Sequence, residues 1–295
     1  MSPFSYDQAA HEASVRAWRR GRLARLTAPD GWLSLVARVP LDEGLTRVGS
    51  APDAGVALPA DKAPAEVGSF RRQGTGVTFT PAAGVALSLQ GRAGLEALTP
   101  GVAARVATDG DGPADRLALG ALTMEVVERP DGLFVRVRDP ENPGRRDFAG
   151  IDHFPIDPKW RVVARLERYE PHRPIDLGYE TGSVERYFSP GAAAFEVDGV
   201  SCRVDPVFDG DRGRLYLVFW DPTARDSTYG AGRFLYAPLP EGDRVLLDFN
   251  QAFSPPCAFT PYAACPLAPA QNRLPVRVEA GEKSPHESGN PPIAG

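Results

Sequence analysis

A mainly β protein, with an N-terminal helix followed by two β domains, is the fold this sequence predicts, and three observations carry the prediction. Apolar and polar residues alternate in short runs, each closed by Gly, Pro or Asp-Gly. Glycine and proline number 30 each in a chain of 295 residues, well above ordinary usage, as frequent turns require. The length also lies at the size, roughly 250–300 residues, where a single apolar core stops growing and chains divide into domains.

The elements follow in order. Phe4, Tyr6, Ala10, Ala13, Val15, Ala17 and Trp18 recur among charges as one amphipathic helix running to about Leu26, within an N-terminal piece 1–30. Arg16, Arg19, Arg20, Arg22 and Arg25 read as its solvated face, placed where cations complement the helix dipole. Pro29 and Gly31 then break the helix. From 31 to 139 the runs WLSLVARVPL, VGSFRRQGTGVTFTP and LTMEVVERPDGLFVRVRD predict a sandwich of about eight to ten strands, with a tight hairpin at Asp131-Gly132. Residues 140–160, rich in proline and poor in periodicity, read as a connection. From 161 to 283 the strand pattern returns (RVVARLERYE, GRLYLVFWD, RVLLDFN), predicting an antiparallel β barrel or sandwich. The stretch 284–295 is polar enough to be a disordered tail.

Bulk chemistry excludes several classes of function. A formal charge of −5 with acids and bases interspersed gives no footprint for nucleic acid or an anionic membrane. No apolar window is long enough to span a bilayer, and the polar N-terminus lacks a signal-peptide core, so the expected compartment is the cytoplasm. Three cysteines do not make a disulfide framework, and the four histidines lack metal-pair spacing, so no metal is expected. Nothing in the sequence names a cofactor.

The candidate site is the segment Val245–Lys283, where Pro255, Pro256, Pro261, Pro266, Pro269 and Pro275 stiffen an irregular run carrying Cys257, Cys265, Asn250 and Asn272. The expected ligand-binding set is Thr228, Tyr229, Arg233, Asn250, Phe253, Tyr262 and Asn272, around a small anionic ligand clamped by Arg233. Each member also has a plainer reading. Arg233 could satisfy Asp248 or Glu282, and the asparagines could hold local turns. Cys257 and Cys265 could be buried thiols, a local disulfide, or a nucleophile or ligand; Glu282 could be an ion-pair partner or a general acid or base. Whether the chain is an enzyme stays open, with a cysteine-dependent hydrolase or acyl transferase among the options. His153, near Asp152 and Asp157, reads as a surface linker residue. A different class of function, a protein-interaction module using the first sandwich, is kept beside the pocket reading.

The motifs TYGAGRFL (228–235), DFNQAFSPPCAFTPYAACPLAPAQNRLP (248–275), EAGEK (279–283) and FAGIDHFPIDPKWRVVA (148–164) resemble an uncharacterised prokaryotic family, domain-of-unknown-function family 1684. That resemblance implies no settled activity. The first sandwich, through RVGSAPDAGVALP and LALGALTMEV, is similar to a forkhead-associated domain. Arg47 precedes the Val48-Gly49 pair, where such domains place arginine after the glycine, and Glu66 stands near an expected serine and histidine. A carboxylate there would repel phosphate, so phosphopeptide binding is not expected.

Overall fold

The computed structural model describes residues 4–210 and 212–285. The chain divides into two compact units, one formed by Thr27–Asp147 and the other by the N-terminal helix together with everything from Phe148 onward. The expectation of a tail at 284–295 lies outside the described residues from 286 on.

In the Thr27–Asp147 unit, eleven strands form two sheets: β1 (Leu35–Pro40), β2 (Gly44–Gly49), β3 (Val56–Ala57), β4 (Gly68–Gln73), β5 (Gly76–Pro81), β6 (Ser88–Gly91), β7 (Gly94–Ala97), β8 (Ala104–Arg105), β9 (Arg116–Leu119), β10 (Leu122–Arg129) and β11 (Gly132–Arg138). One sheet has the order β1-β11-β10-β9-β6-β7 and the other β3-β2-β4-β5-β8. Alternation along the strands sends Val48, Phe70, Phe79, Leu117, Met124 and Val135 into one core shared by both sheets, which is the sandwich geometry. The hairpin sits where the sequence predicts a turn. Its two-residue loop is Pro130-Asp131, since Arg129 pairs with Gly132, and Gly132 takes a φ of +130° that a Cβ would oppose.

The other unit begins with α1 (Gln8–Leu26), capped by Asp7, whose Oδ1 accepts from the Ala10 amide at 2.9 Å. Its strands are β12 (Arg161–Gly178), β13 (Val184–Val197), β14 (Val200–Val204), β15 (Val207–Phe208), β16 (Arg214–Phe219), β17 (Arg233–Pro238) and β18 (Arg244–Asp248). They form a four-stranded sheet, β14-β13-β12-β18, and a three-stranded sheet, β15-β16-β17. The inward positions Val162, Ala164, Leu217, Phe219, Leu235, Val245 and Leu247 meet in one core. Two open sheets face across that core, so the barrel option is not taken up.

The helix differs from the sequence expectation. Its buried stripe is His11, Val15, Arg22 and Leu26, with half-buried Trp18 between them. This is the i, i+4, i+7, i+11, i+15 spacing of one helical face. Arg22 is therefore not on a solvated face: its Nε donates to Glu282 Oε1 at 3.0 Å and its Nη2 to the Ser254 carbonyl at 2.9 Å. Arg19 is also drawn in, with Nη2 on the Phe154 carbonyl at 3.0 Å. A simple apolar count missed the stripe because two of its members are polar groups with buried partners.

Candidate functional site

The proline-rich segment is built from backbone that needs particular residues. Gly232 has a φ of +103°, and a Cβ there would lie 2.5 Å from the Phe219 carbonyl oxygen. Gly281 has a φ of +77°, with an added Cβ 2.4 Å from the Ala252 carbonyl oxygen. These two close approaches explain glycine in GAGRFL and EAGEK on steric grounds alone.

Arg233 follows the first of these turns on β17. It is enclosed, with its side chain 0 % exposed and that of Asp221 2 % exposed. Nη2 donates to Asp221 Oδ1 at 3.0 Å and to the Val278 carbonyl at 2.8 Å, and Nη1 to the Ala280 carbonyl at 2.5 Å. The other Asp221 oxygen accepts from Thr223 N, Thr223 Oγ1 and Val278 N at 3.1, 2.7 and 2.8 Å. Burial draws the Arg233 guanidinium below its ordinary value and the Asp221 charge opposes that. The partner is thus Asp221, not Asp248 or Glu282, and the fork is spent on bracing the C-terminal segment.

The two asparagines lie in separate braces. Asn250 accepts from Asp157 N at 3.0 Å and donates to the Asp157 carbonyl and Asp248 Oδ1, both at 3.0 Å. Asn272 accepts from Asp205 N at 2.7 Å and donates to the carbonyls of Asp205 and Val218 at 3.2 and 3.0 Å. Thr228 is buried against Thr223, hydroxyl to hydroxyl at 2.9 Å. Glu282 is fully buried, and its Oε2 accepts from Ser254 N at 2.8 Å. Burial raises its carboxyl above the ordinary range, opposed chiefly by Arg22.

A third group of the expected residues does come together. Phe253, Phe234, Val218 and Cys265 form an apolar cluster apart from the main core, flanked by half-buried Trp18, Tyr187, Tyr216, Tyr236 and Cys257. Tyr236 stacks on Phe253 with ring centroids 5.3 Å apart, and the Arg22 guanidinium lies 4.9 Å from the Phe253 ring, within cation–π range. Tyr229 donates from its hydroxyl to the Cys257 carbonyl at 3.4 Å, and Cys257 N donates to Cys265 Sγ at 3.3 Å. All three cysteines are free thiols. Tyr262 is half-buried, and its amide meets Thr260 Oγ1 at 3.3 Å.

A concavity of this unit lies elsewhere. A cleft of about 420 Å³ is lined by Tyr6, His11, Ser14, Arg161, Tyr236, Asp248 and Gln251, among others. Its charged floor follows from strand register: β12 and β18 pair antiparallel with Arg161 opposite Asp248. The neighbouring positions Val162 and Leu247 enter the core, so Arg161 and Asp248 stand on the outer face beneath α1. Asp248 Oδ2 meets His11 Nε2 at 2.8 Å and accepts from Gln251 Nε2 at 3.2 Å. The other ring nitrogen, His11 Nδ1, is buried without a partner among the described residues. A larger hollow of about 980 Å³ lies in the Thr27–Asp147 unit, lined by Thr75–Val77, Gly91–Glu96 and Arg105–Thr108 among others. It offers no aromatic wall and no buried titratable group, so the smaller cleft is the better-built site.

His153 is half-buried and not a plain surface residue. Burial, then the charge of Arg19, pushes its imidazole down to about 4, and its Nε2 is buried without a partner among the described residues. No helix among the described residues is long and apolar enough to cross a membrane. No group of three or more His, Cys, Asp or Glu among them could hold a metal ion.

Fold and site define a two-sheet β unit, capped by a helix and carrying a cleft of small-molecule size. Residues 146–283, just under half of the chain, match the family model described as "Protein of unknown function (DUF1684)". It is similar to an uncharacterized protein of Haloarcula marismortui solved by solution NMR, with 34% identity over 49% of this chain and 80% of that one and a TM-score of 0.40. No curated protein matches the chain.

Proposed function

We propose that the helix-capped unit binds a small molecule in the cleft beside α1, with an anionic group at Arg161 and a flat apolar body between Tyr6 and Tyr236. The observation that carries this reading is the meeting of a buried, half-satisfied histidine, an arginine and two aromatic rings in one hollow of about 420 Å³, within the size range of ligand sites. The carboxylates at the cleft are engaged, Asp248 by His11, Asn250 and Gln251 and Asp7 by the helix amide. The His11 Nε2 contact at 2.8 Å occupies one oxygen of Asp248, which keeps that carboxylate turned to the protein. The anionic ligand expected from the sequence is kept, and its anchor moves from Arg233 to Arg161.

The test compares two fluorescent aromatic probes, anionic 8-anilinonaphthalene-1-sulfonate and uncharged N-phenyl-1-naphthylamine. Arg161→Ala should weaken the sulfonate about tenfold or more, since a hydrogen bond to a charged group contributes about 1.5–3 kcal/mol, and leave the neutral probe unchanged. Equal sulfonate binding by wild type and variant overturns the reading.

A second reading rests on the Thr27–Asp147 unit. Its edge strand β7 is exposed throughout, with Leu95 71 % exposed, and an open edge can accept a further strand from a protein partner. The paired six- and five-stranded sheets support the likeness to a forkhead-associated domain. Arg47 is paired with Asp53 at 2.7 Å, which argues against a phosphate-reading role for it.

A further inference from the structure

We infer that Cys257 and Cys265 are a redox pair, in which a small hydroperoxide oxidises Cys257 and Cys265 resolves the product into an intramolecular disulfide. The pair is placed by stiff backbone. Pro255 and Pro256 fix the one-turn helix Pro256–Ala258 that carries Cys257, and Pro266 follows Cys265 directly. Cys265 Sγ already accepts from the Cys257 amide at 3.3 Å. The Cys257 sulfur is only three bonds from that nitrogen, so rotation about one side-chain bond moves the two sulfurs toward contact without moving the chain.

The two thiols are unequal in the way the reaction needs. Cys257 is half-buried while Cys265 is 6 % exposed, so an oxidant reaches the first and not the second. A hydrogen bond from the Cys265 thiol draws the Cys257 thiol below its ordinary value, helped by the Tyr229 hydroxyl and opposed by burial and the Glu180 charge. The same contact and burial push Cys265 up. Thiolate character governs attack on peroxide.

The chemistry balances with the hydroperoxide as the oxidant. The Cys257 thiolate attacks the terminal peroxide oxygen, an S–O bond forms as the O–O bond breaks, and the leaving alkoxide or hydroxide takes a proton to become alcohol or water. The Cys265 sulfur then attacks the Cys257 sulfur. An S–S bond forms, the S–O bond breaks, and the departing hydroxide takes the Cys265 proton as water. Two electrons leave the thiols and reduce one peroxide.

The third cysteine is an internal control. Cys202 is buried in the main core, burial raises its thiol, and that thiol donates to the Val200 carbonyl at 3.7 Å. The experiment treats the native full-length protein with a slight excess of hydrogen peroxide and reads intact mass, free thiols and a peptide map. The expected result is loss of two hydrogens per molecule, two of the three thiols blocked, and a peptide linked through Cys257 and Cys265. In Cys265→Ser the expected product gains one oxygen at Cys257 and is trapped there by dimedone. Oxidation of Cys202 ahead of Cys257, survival of both thiols, or sulfinic acid at Cys257 with Cys265 still reduced in the wild type would overturn the inference. The wild-type map decides the matter even if a variant folds poorly.

Discussion

The proline-rich segment and the cleft beside α1 both hold charged residues, but they use them in opposite ways. Around the segment the buried groups are spent on the chain itself: Arg233 meets Asp221 and three carbonyls through its two terminal nitrogens, and Asn272 ties Asp205 to Val218. In the cleft a charged pair on neighbouring strands stays beside a histidine with one nitrogen unanswered. Costly residue types mark both places, and enclosure separates a brace from a binding surface: the Arg233 side chain is fully buried, whereas Arg161 is half-exposed at the edge of a cleft. Removing one partner of a closed buried pair strands a charge, whereas removing the half-exposed Arg161 leaves Asp248 held by His11, Asn250 and Gln251.

The contrast is sharpest at Arg233. Arg233→Ala should cost about 3–5 kcal/mol, the penalty for leaving Asp221 buried and unpaired, read as a lowered urea midpoint. A variant as stable as wild type would break the comparison. Asn272→Ala should follow at about 2–3 kcal/mol, because the Asp205 amide and two carbonyls lose a partner away from water; the same urea titration checks it.

His153 gives a pH-dependent version of the same test. Its imidazole sits at about 4 in the folded chain against an ordinary 6.5, so below about pH 6.5 the unfolded chain takes up a proton that the folded chain refuses until about pH 4. Stability from this group is complete above that window and falls as pH drops through it. Urea midpoints at neutral and mildly acidic pH should diverge in wild type and diverge less in His153→Gln.

Much of the fold was legible because its signals are local. Alternating runs gave the strands, Asp131-Gly132 gave a hairpin, and the polar–apolar repeat gave α1. The helix face was not legible, since His11 and Arg22 look solvent-facing until Asp248 and Glu282 are placed opposite them, and the first of these pairs spans 237 positions. The cleft was hidden for the same reason: Arg161 meets Asp248 only through the register of β12 with β18. The motifs of 228–283 were visible as sequence, but their glycines and asparagines report close packing, which a single chain cannot distinguish from ligand contact.

The smallest expected effect on stability belongs to Arg161→Ala, within about 0.5 kcal/mol, as for a half-exposed residue whose loss opens no cavity in the core. The most direct test therefore measures urea midpoint and sulfonate-probe affinity side by side on wild type, Arg161→Ala and Arg233→Ala. The division into brace and binding surface predicts that Arg161→Ala keeps its midpoint and loses probe affinity while Arg233→Ala loses its midpoint. An Arg233→Ala protein that folds normally but no longer binds, beside an Arg161→Ala protein that binds as wild type does, would contradict it.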